Sequence, residues 1–143
     1  MSRKIVCLMI LLIIFLTNTV FATNWVFVGA SMLTGVKSNI YVDSDSVIKN
    51  GETVTFWTLT ANEKPDFTEM KNQLEKHDAK QPRMMRSLAN YSYYANNKLI
   101  WSNPNIKGIS SSFEPGTLGA IMIETAFKYA KEGNDTGQQP PLP

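Results

Sequence analysis

Lys49-Asn50-Gly51-Glu52 lies between two apolar runs, Val47-Ile48 before it and Thr53-Val54-Thr55-Phe56-Trp57-Thr58-Leu59 after it. Asn and Gly both tolerate the positive φ of a tight hairpin turn, so this stretch commits the chain to antiparallel pairing. With Asn50-Gly51 as a two-residue type I′ loop, Lys49 stands opposite Glu52 as a favourable cross-strand pair. Two further strand-like runs come first. Asn24-Trp25-Val26-Phe27-Val28-Gly29-Ala30 carries large apolar residues on both faces, and Asn39-Ile40-Tyr41-Val42-Asp43 alternates. A Gly-containing turn over residues 32–37 joins them.

The texture becomes charged from Asn62 to Pro82. Asp66 with Glu69 resembles a capping box, and Phe67, Met70 and Leu74 recur at helical spacing, so a short amphipathic helix and a connecting loop are both open here. Strand texture returns from Met84 to Ala95, then a turn at Asn96-Asn97 leads into Lys98-Leu99-Ile100-Trp101. Pro115-Gly116-Thr117 precedes a helical pattern from Leu118 to Lys131. Its stripe comprises Leu118, Ile121, Met122, Thr125, Ala126 and Tyr129, widened by Ile123, Phe127 and Ala130, with Glu124 and Lys128 left to water. Strands followed by one terminal helix indicate an α+β fold: an antiparallel sheet of about five to six strands with the C-terminal helix packed on one face.

Arg3 and Lys4, the apolar run Ile5–Leu16 and the small-residue site Val20-x-Ala22 form a secretory leader over residues 1–22. Twelve apolar residues are too few to span a bilayer as a helix, so no stable transmembrane segment is expected after cleavage. The expected organisation is this leader, a domain over residues 23–132 and a flexible tail over 133–143. Cys7, the one cysteine, falls inside the leader, so the exported domain has no disulfide and rests on packing alone. Without Arg3 and Lys4 the basic and acidic residues are equal in number, which argues against nucleic acid as a partner.

Chemistry is sparse. His77, the single histidine, has no sequence neighbour placed to work with it and is expected to face solvent. Asp43-Ser44-Asp45-Ser46 lacks the glycine and terminal Glu of an EF-hand loop and is expected to cap backbone N–H groups in a turn. No catalytic set, cofactor or metal site is expected, and the protein is read as a non-enzyme. Pro140-Pro141-Leu142-Pro143 has the composition of a polyproline ligand but sits at a chain end, where fraying is the ordinary reading. Lys76, Lys80, Arg83 and Arg86 form a local basic cluster interrupted by Asp78. It is either a solvated connector or a patch for an acidic partner, and these four are the candidate partner-binding residues. Of Tyr91, Tyr93 and Tyr94, at least one must face the core by alternation.

The segments Trp25-Val26-Phe27-Val28-Gly29, Tyr41-Val42-Asp43-Ser44-Asp45-Ser46-Val47 and Val54-Thr55-Phe56-Trp57 resemble, in that order, the surface-adhesin protein E family. Arg86-Ser87-Leu88 and Trp101 followed by Glu114-Pro115-Gly116-Thr117 continue the likeness towards the terminal helix. The resemblance implies a twisted antiparallel sheet with a helix, an exported bacterial protein at the surface or in the periplasm, and binding of host matrix or plasma proteins. Many members pair two cysteines between the later strands and the helix; here Tyr93 stands near one expected position. The expected function is an adhesin-like binding module for an extracellular or envelope protein or glycan. A periplasmic structural or assembly partner is the alternative.

Overall fold

The computed structural model describes residues 23–33, 35–63, 70–135, 137 and 140–141. The leader expected over residues 1–22 and the capping pattern beginning at Asp66 lie outside these residues. Among these residues nine strands and one helix follow in the order β1 (Trp25–Leu33), β2 (Val36–Asp43), β3 (Ile48–Asn50), β4 (Thr53–Asn62), β5 (Met70–Lys80), β6 (Met84–Tyr94), β7 (Leu99–Asn103), β8 (Ser111–Ser112), α1 (Leu118–Tyr129) and β9 (Lys131–Glu132). The sheet runs β1-β2-β4-β5-β6-β7, all antiparallel, with β3 folded against β4 and β8 against β6. Five of the six strands on this path, and the hairpin arm β3, fall where strands are expected; β5, β8 and β9 are not expected, and β9 pairs parallel with β3.

The hairpin forms one residue later than expected. Asn50 pairs with Thr53 and Lys49 with Val54, so Gly51 and Glu52 are the loop and Lys49 does not face Glu52. Gly51 has φ +62, as a glycine in the first loop position of a type II′ turn requires. Val54 and Phe56, two residues apart on β4, share the core face in either register. In the observed one Lys49 meets Glu132, at 3.5 Å, in place of Glu52.

Residues 70–80 correct the helix-or-loop expectation, because they form a long strand between β4 and β6. Even-numbered residues from Asn72 to Lys80 lie on one face and odd-numbered ones from Gln73 to Ala79 on the other. The apparent helical spacing of Met70 and Leu74 is also a strand spacing, and pairing on both edges outweighs local propensity.

Each face of the sheet carries an apolar cluster. On one, Val42, Val47, Val54, Phe56, Ala79 and Met85 pack against Met122, Ile123 and Ala126 of α1. On the other, Trp57, Leu59, Leu74, Ala89 and Tyr93 form a second cluster flanked by Trp25, Tyr41, Ala61 and Tyr91. Thr117 caps the helix, its Oγ1 accepting from the Ala120 N–H at 3.4 Å. Ile123 is fully buried whereas Ile121 is only partly so, so the stripe is centred nearer Ile123 than its widest apolar count indicates. Tyr93 lies in the cluster away from the helix, so it does not occupy a place from which a cysteine would reach α1.

Asp43 and its neighbours form the expected capping turn. Asp43 Oδ1 accepts from the backbone of Asn24 at 3.3 Å and of Asp45 at 3.1 Å. The Ser46 hydroxyl donates to Asp43 O and accepts from the Trp57 N–H, tying this turn to β4. Burial, opposed by these bonds, pushes the Asp43 carboxyl up.

Candidate binding face

The helix-free face is where the sequence-selected residues converge. Trp57 on β4, Lys76 on β5 and Ala89 on β6 are cross-strand partners in one row. Asp78 and Arg86 form the next row, and Lys80 with Met84 the one after. Three of the four candidate cations thus share a face with the Trp57–Tyr91 aromatic pair, whose ring centroids are 5.9 Å apart. Arg83 lies in the β5–β6 turn, where its Nε donates to Phe113 O at 2.9 Å.

They are not four bare charges. Arg86 holds Asp78 in a fork, with Nε and Nη2 both donating to Oδ2 at 2.8 and 2.7 Å. That bond holds the Arg86 guanidinium above its ordinary pKa. Lys76, with a side chain only 12% exposed, pairs with Asp135 at 2.7 Å. Its ammonium also lies 6.0 Å from the Trp57 ring centroid, within cation–π reach. Lys80 is exposed and carries no ion pair among the described residues.

An irregularity in β6 shapes the face. Lys76 opposes Ala89 while His77 opposes Ser87, so Leu88 is an extra residue, a β-bulge. The freed Leu88 carbonyl accepts from the Ile106 N–H at 2.7 Å, which draws the segment after β7 back over the sheet. Gly108 follows, so close to β6 that a Cβ there would stand 2.6 Å from Ser87 O. The chain after α1 returns to the sheet as well. Gly133 N–H donates to Lys49 O at 3.1 Å, and Asp135 then reaches Lys76. Between these two segments and Trp57 lies a cavity of about 540 Å³.

The opposite face holds what the sequence did not disclose. His77 is buried, correcting the expectation that it faces solvent. Its Nε2 lies 2.9 Å from Thr58 Oγ1 and 3.5 Å from Glu75 Oε2. The Thr58 hydroxyl donates to Glu75 O, which assigns the imidazole proton to Nε2 and leaves Nδ1 without a partner. Burial lowers the His77 pKa to about 4, against a smaller opposing pull from Asp78, so the ring is neutral at pH 7. Glu75 accepts from Gln73 and Asn90, and burial raises its pKa. Strand parity alone was a usable signal: His77 and Asp78 must point to opposite faces. No group of three or more His, Cys, Asp or Glu among the described residues is placed to hold a metal.

A mostly antiparallel sheet with a helix closing one face and aromatic and basic residues on the other defines a small α+β protein. The chain belongs to the surface-adhesin protein E family, whose model matches residues 25–126. Membership places it among adhesin-like surface proteins. No curated protein and no solved structure matches it. Among the described residues no helix is long and apolar enough to cross a membrane.

Proposed function

We propose that this protein is an exported, non-enzymatic binding module that engages extracellular-matrix or plasma proteins, or glycans, through the helix-free face of its sheet. The observation that carries this reading is the convergence of Lys76, Lys80 and Arg86 with Trp57 and Tyr91 on that face. Lys80 and the exposed side of Arg86 supply charge, and exposed Met84 opposite Lys80 and Phe27 opposite Tyr41 supply apolar area over a floor of buried Trp57 and half-buried Tyr91. Arg83, at the end of the same hairpin, extends the basic edge.

The test sets purified full chain against immobilised matrix proteins and heparin, beside a variant with Lys76, Lys80, Arg83 and Arg86 all changed to Gln. Binding should weaken as salt rises to physiological strength, where exposed charges are screened beyond about 8 Å. Neutralisation should slow association more than it speeds dissociation. Equal binding by parent and variant removes the basic residues from the site. No binding by either, together with resistance of the protein to protease added to whole cells, favours a role inside the envelope.

A further inference from the structure

We infer that the far end of the helix-side face is a binding site for an uncharged pyranose ring of a glycan, walled by Trp101 on one side and by Gln73 and Glu75 on the other. This goes beyond the helix-free-face reading and does not depend on it. The cluster packed under α1 takes in Ala79 from β5 and Met85 from β6 and extends no further along either strand. Past it, two cross-strand rows continue on the same face. One runs Thr58, Glu75, Asn90, Asn103, and the other Thr60, Gln73, Ser92, Trp101. Both rows are polar except for Trp101, which is 51% exposed. Neighbouring strands lie about 4.8 Å apart, so Trp101 and Gln73 start about 10 Å apart, with only the small Ser92 between them. Ile100 is an extra residue between the Ser92–Trp101 and Tyr93–Leu99 pairs, a bulge of the kind that re-aims a neighbouring side chain.

The polar wall is fixed before any ligand arrives. Glu75 Oε1 accepts from Gln73 Nε2 at 2.7 Å and from Asn90 Nδ2 at 3.1 Å, and Ser87 adds a hydrogen bond to the same carboxyl. A carboxylate has about four acceptor positions, so one remains for a hydroxyl. The Gln73 amide gives one N–H to Glu75, and its carbonyl has no donor among the described residues. Asn90 Oδ1 is buried and also has no donor among them, so a hydroxyl proton is what it lacks. Adjacent sugar hydroxyls donate and accept at once, which matches this mixture of amides and a carboxyl. Trp101 supplies the flat apolar surface on which the C–H face of a pyranose stacks. An apolar ligand would leave the amides unpaired. The two rows contain one charged residue, Glu75, and no cation, which selects against sulfated and sialylated chains.

The test applies the full chain to immobilised glycans ending in uncharged galactose, glucose, mannose or N-acetylglucosamine, with sialylated glycans and heparin beside them. At least one uncharged series should bind. Raising salt to physiological strength should leave that affinity within about twofold, because no ion pair is made. Trp101→Ala should weaken it about tenfold or more and Gln73→Ala about threefold, whereas Trp101→Phe, which keeps a ring, should lose less than Trp101→Ala. Sugar should shift the Trp101 indole resonance, assigned by Trp101→Phe, in the NMR spectrum. The variant with Lys76, Lys80, Arg83 and Arg86 changed to Gln should keep the parental sugar affinity. Thermal melts establish that the variants fold; if Gln73→Ala does not, the two Trp101 variants decide the matter.

No uncharged glycan bound by the parent, equal binding by parent and Trp101→Ala, or an unmoved Trp101 resonance overturns the inference. Binding restricted to charged glycans, or sugar binding lost in the four-residue variant, overturns it as well and assigns recognition to the helix-free face. Heparin and matrix binding by the parent is measured alongside: if it persists without uncharged-sugar binding, this inference fails while the binding-module reading stands.

Discussion

His77 is the residue at which burial has the clearest thermodynamic consequence. Its pKa is about 4 in the fold against 6.5 for the free side chain, so between these values the unfolded chain binds more protons. The stabilisation is complete above pH 6.5 and declines as pH falls through that window. From pH 7 to pH 5 this one group should remove roughly 2 kcal/mol. Glu75 and Asp43, whose pKa values burial raises, act in the opposite sense at the acid end, because their protonation favours the fold. Denaturant titrations at pH 7 and 5 on parent and His77→Gln check this: the variant should start less stable and show a flatter dependence. Equal slopes would show that another group controls it. The neighbouring motif Asp43-Ser44-Asp45-Ser46 was legible because its bonds are local. The surroundings of His77 come from Thr58 on another strand, so only its parity with Asp78 was open to reading.

Among the elements, the hairpin and the helix were recognisable from pattern, while their registers depended on the whole sheet. Gly51 has φ +62 and open space around a would-be Cβ, so Gly51→Val tests conformation without a clash. It should cost about 1 kcal/mol or more, read as a lowered denaturation midpoint, because a β-branched residue is disfavoured at positive φ. Gly108 poses the complementary case: no positive φ, but a backbone carbonyl of β6 where a Cβ would go. Gly108→Ala should loosen the segment after β7 and raise amide exchange at Ile106; unchanged protection there would contradict the close packing. On α1, Ile123→Asp buries an unpaired carboxylate against Phe56 and Val54 and should cost several kcal/mol, on the order of 3 to 5. Ile121→Asp, on the partly exposed flank, should be much milder. If the two melt alike, the buried centre of the helix has been misplaced. Strand β5 was the element least open to sequence reading. Its polar alternation becomes intelligible only between β4 and β6, where Leu74 is buried on one face and His77 and Ala79 on the other.

At the scale of the whole molecule, one sheet serves two purposes. Helix α1 closes one face and builds the cysteine-free core, so the other face is left for Trp57, Tyr91 and the basic rows. The apolar runs and the terminal helix made the α+β class readable, and the order of Trp25, Tyr41 and Trp57 motifs pointed to the family that the match over residues 25–126 bears out. The sequence showed Asp78 interrupting the cations, but not its pairing with Arg86 or that of Asp135 with Lys76, because both pairings are made in the folded chain. The central claim is that partners dock on the helix-free face, and association rates decide it most directly. Lys80→Gln/Arg86→Gln removes two charges from that face, and Lys128→Gln/Lys131→Gln removes two from the helix side. Measured at low salt on immobilised heparin and matrix proteins, the first pair should slow association several-fold and the second should leave it near the parental rate. Equal slowing by both pairs, or slowing by the helix-side pair alone, would contradict the assignment of the face.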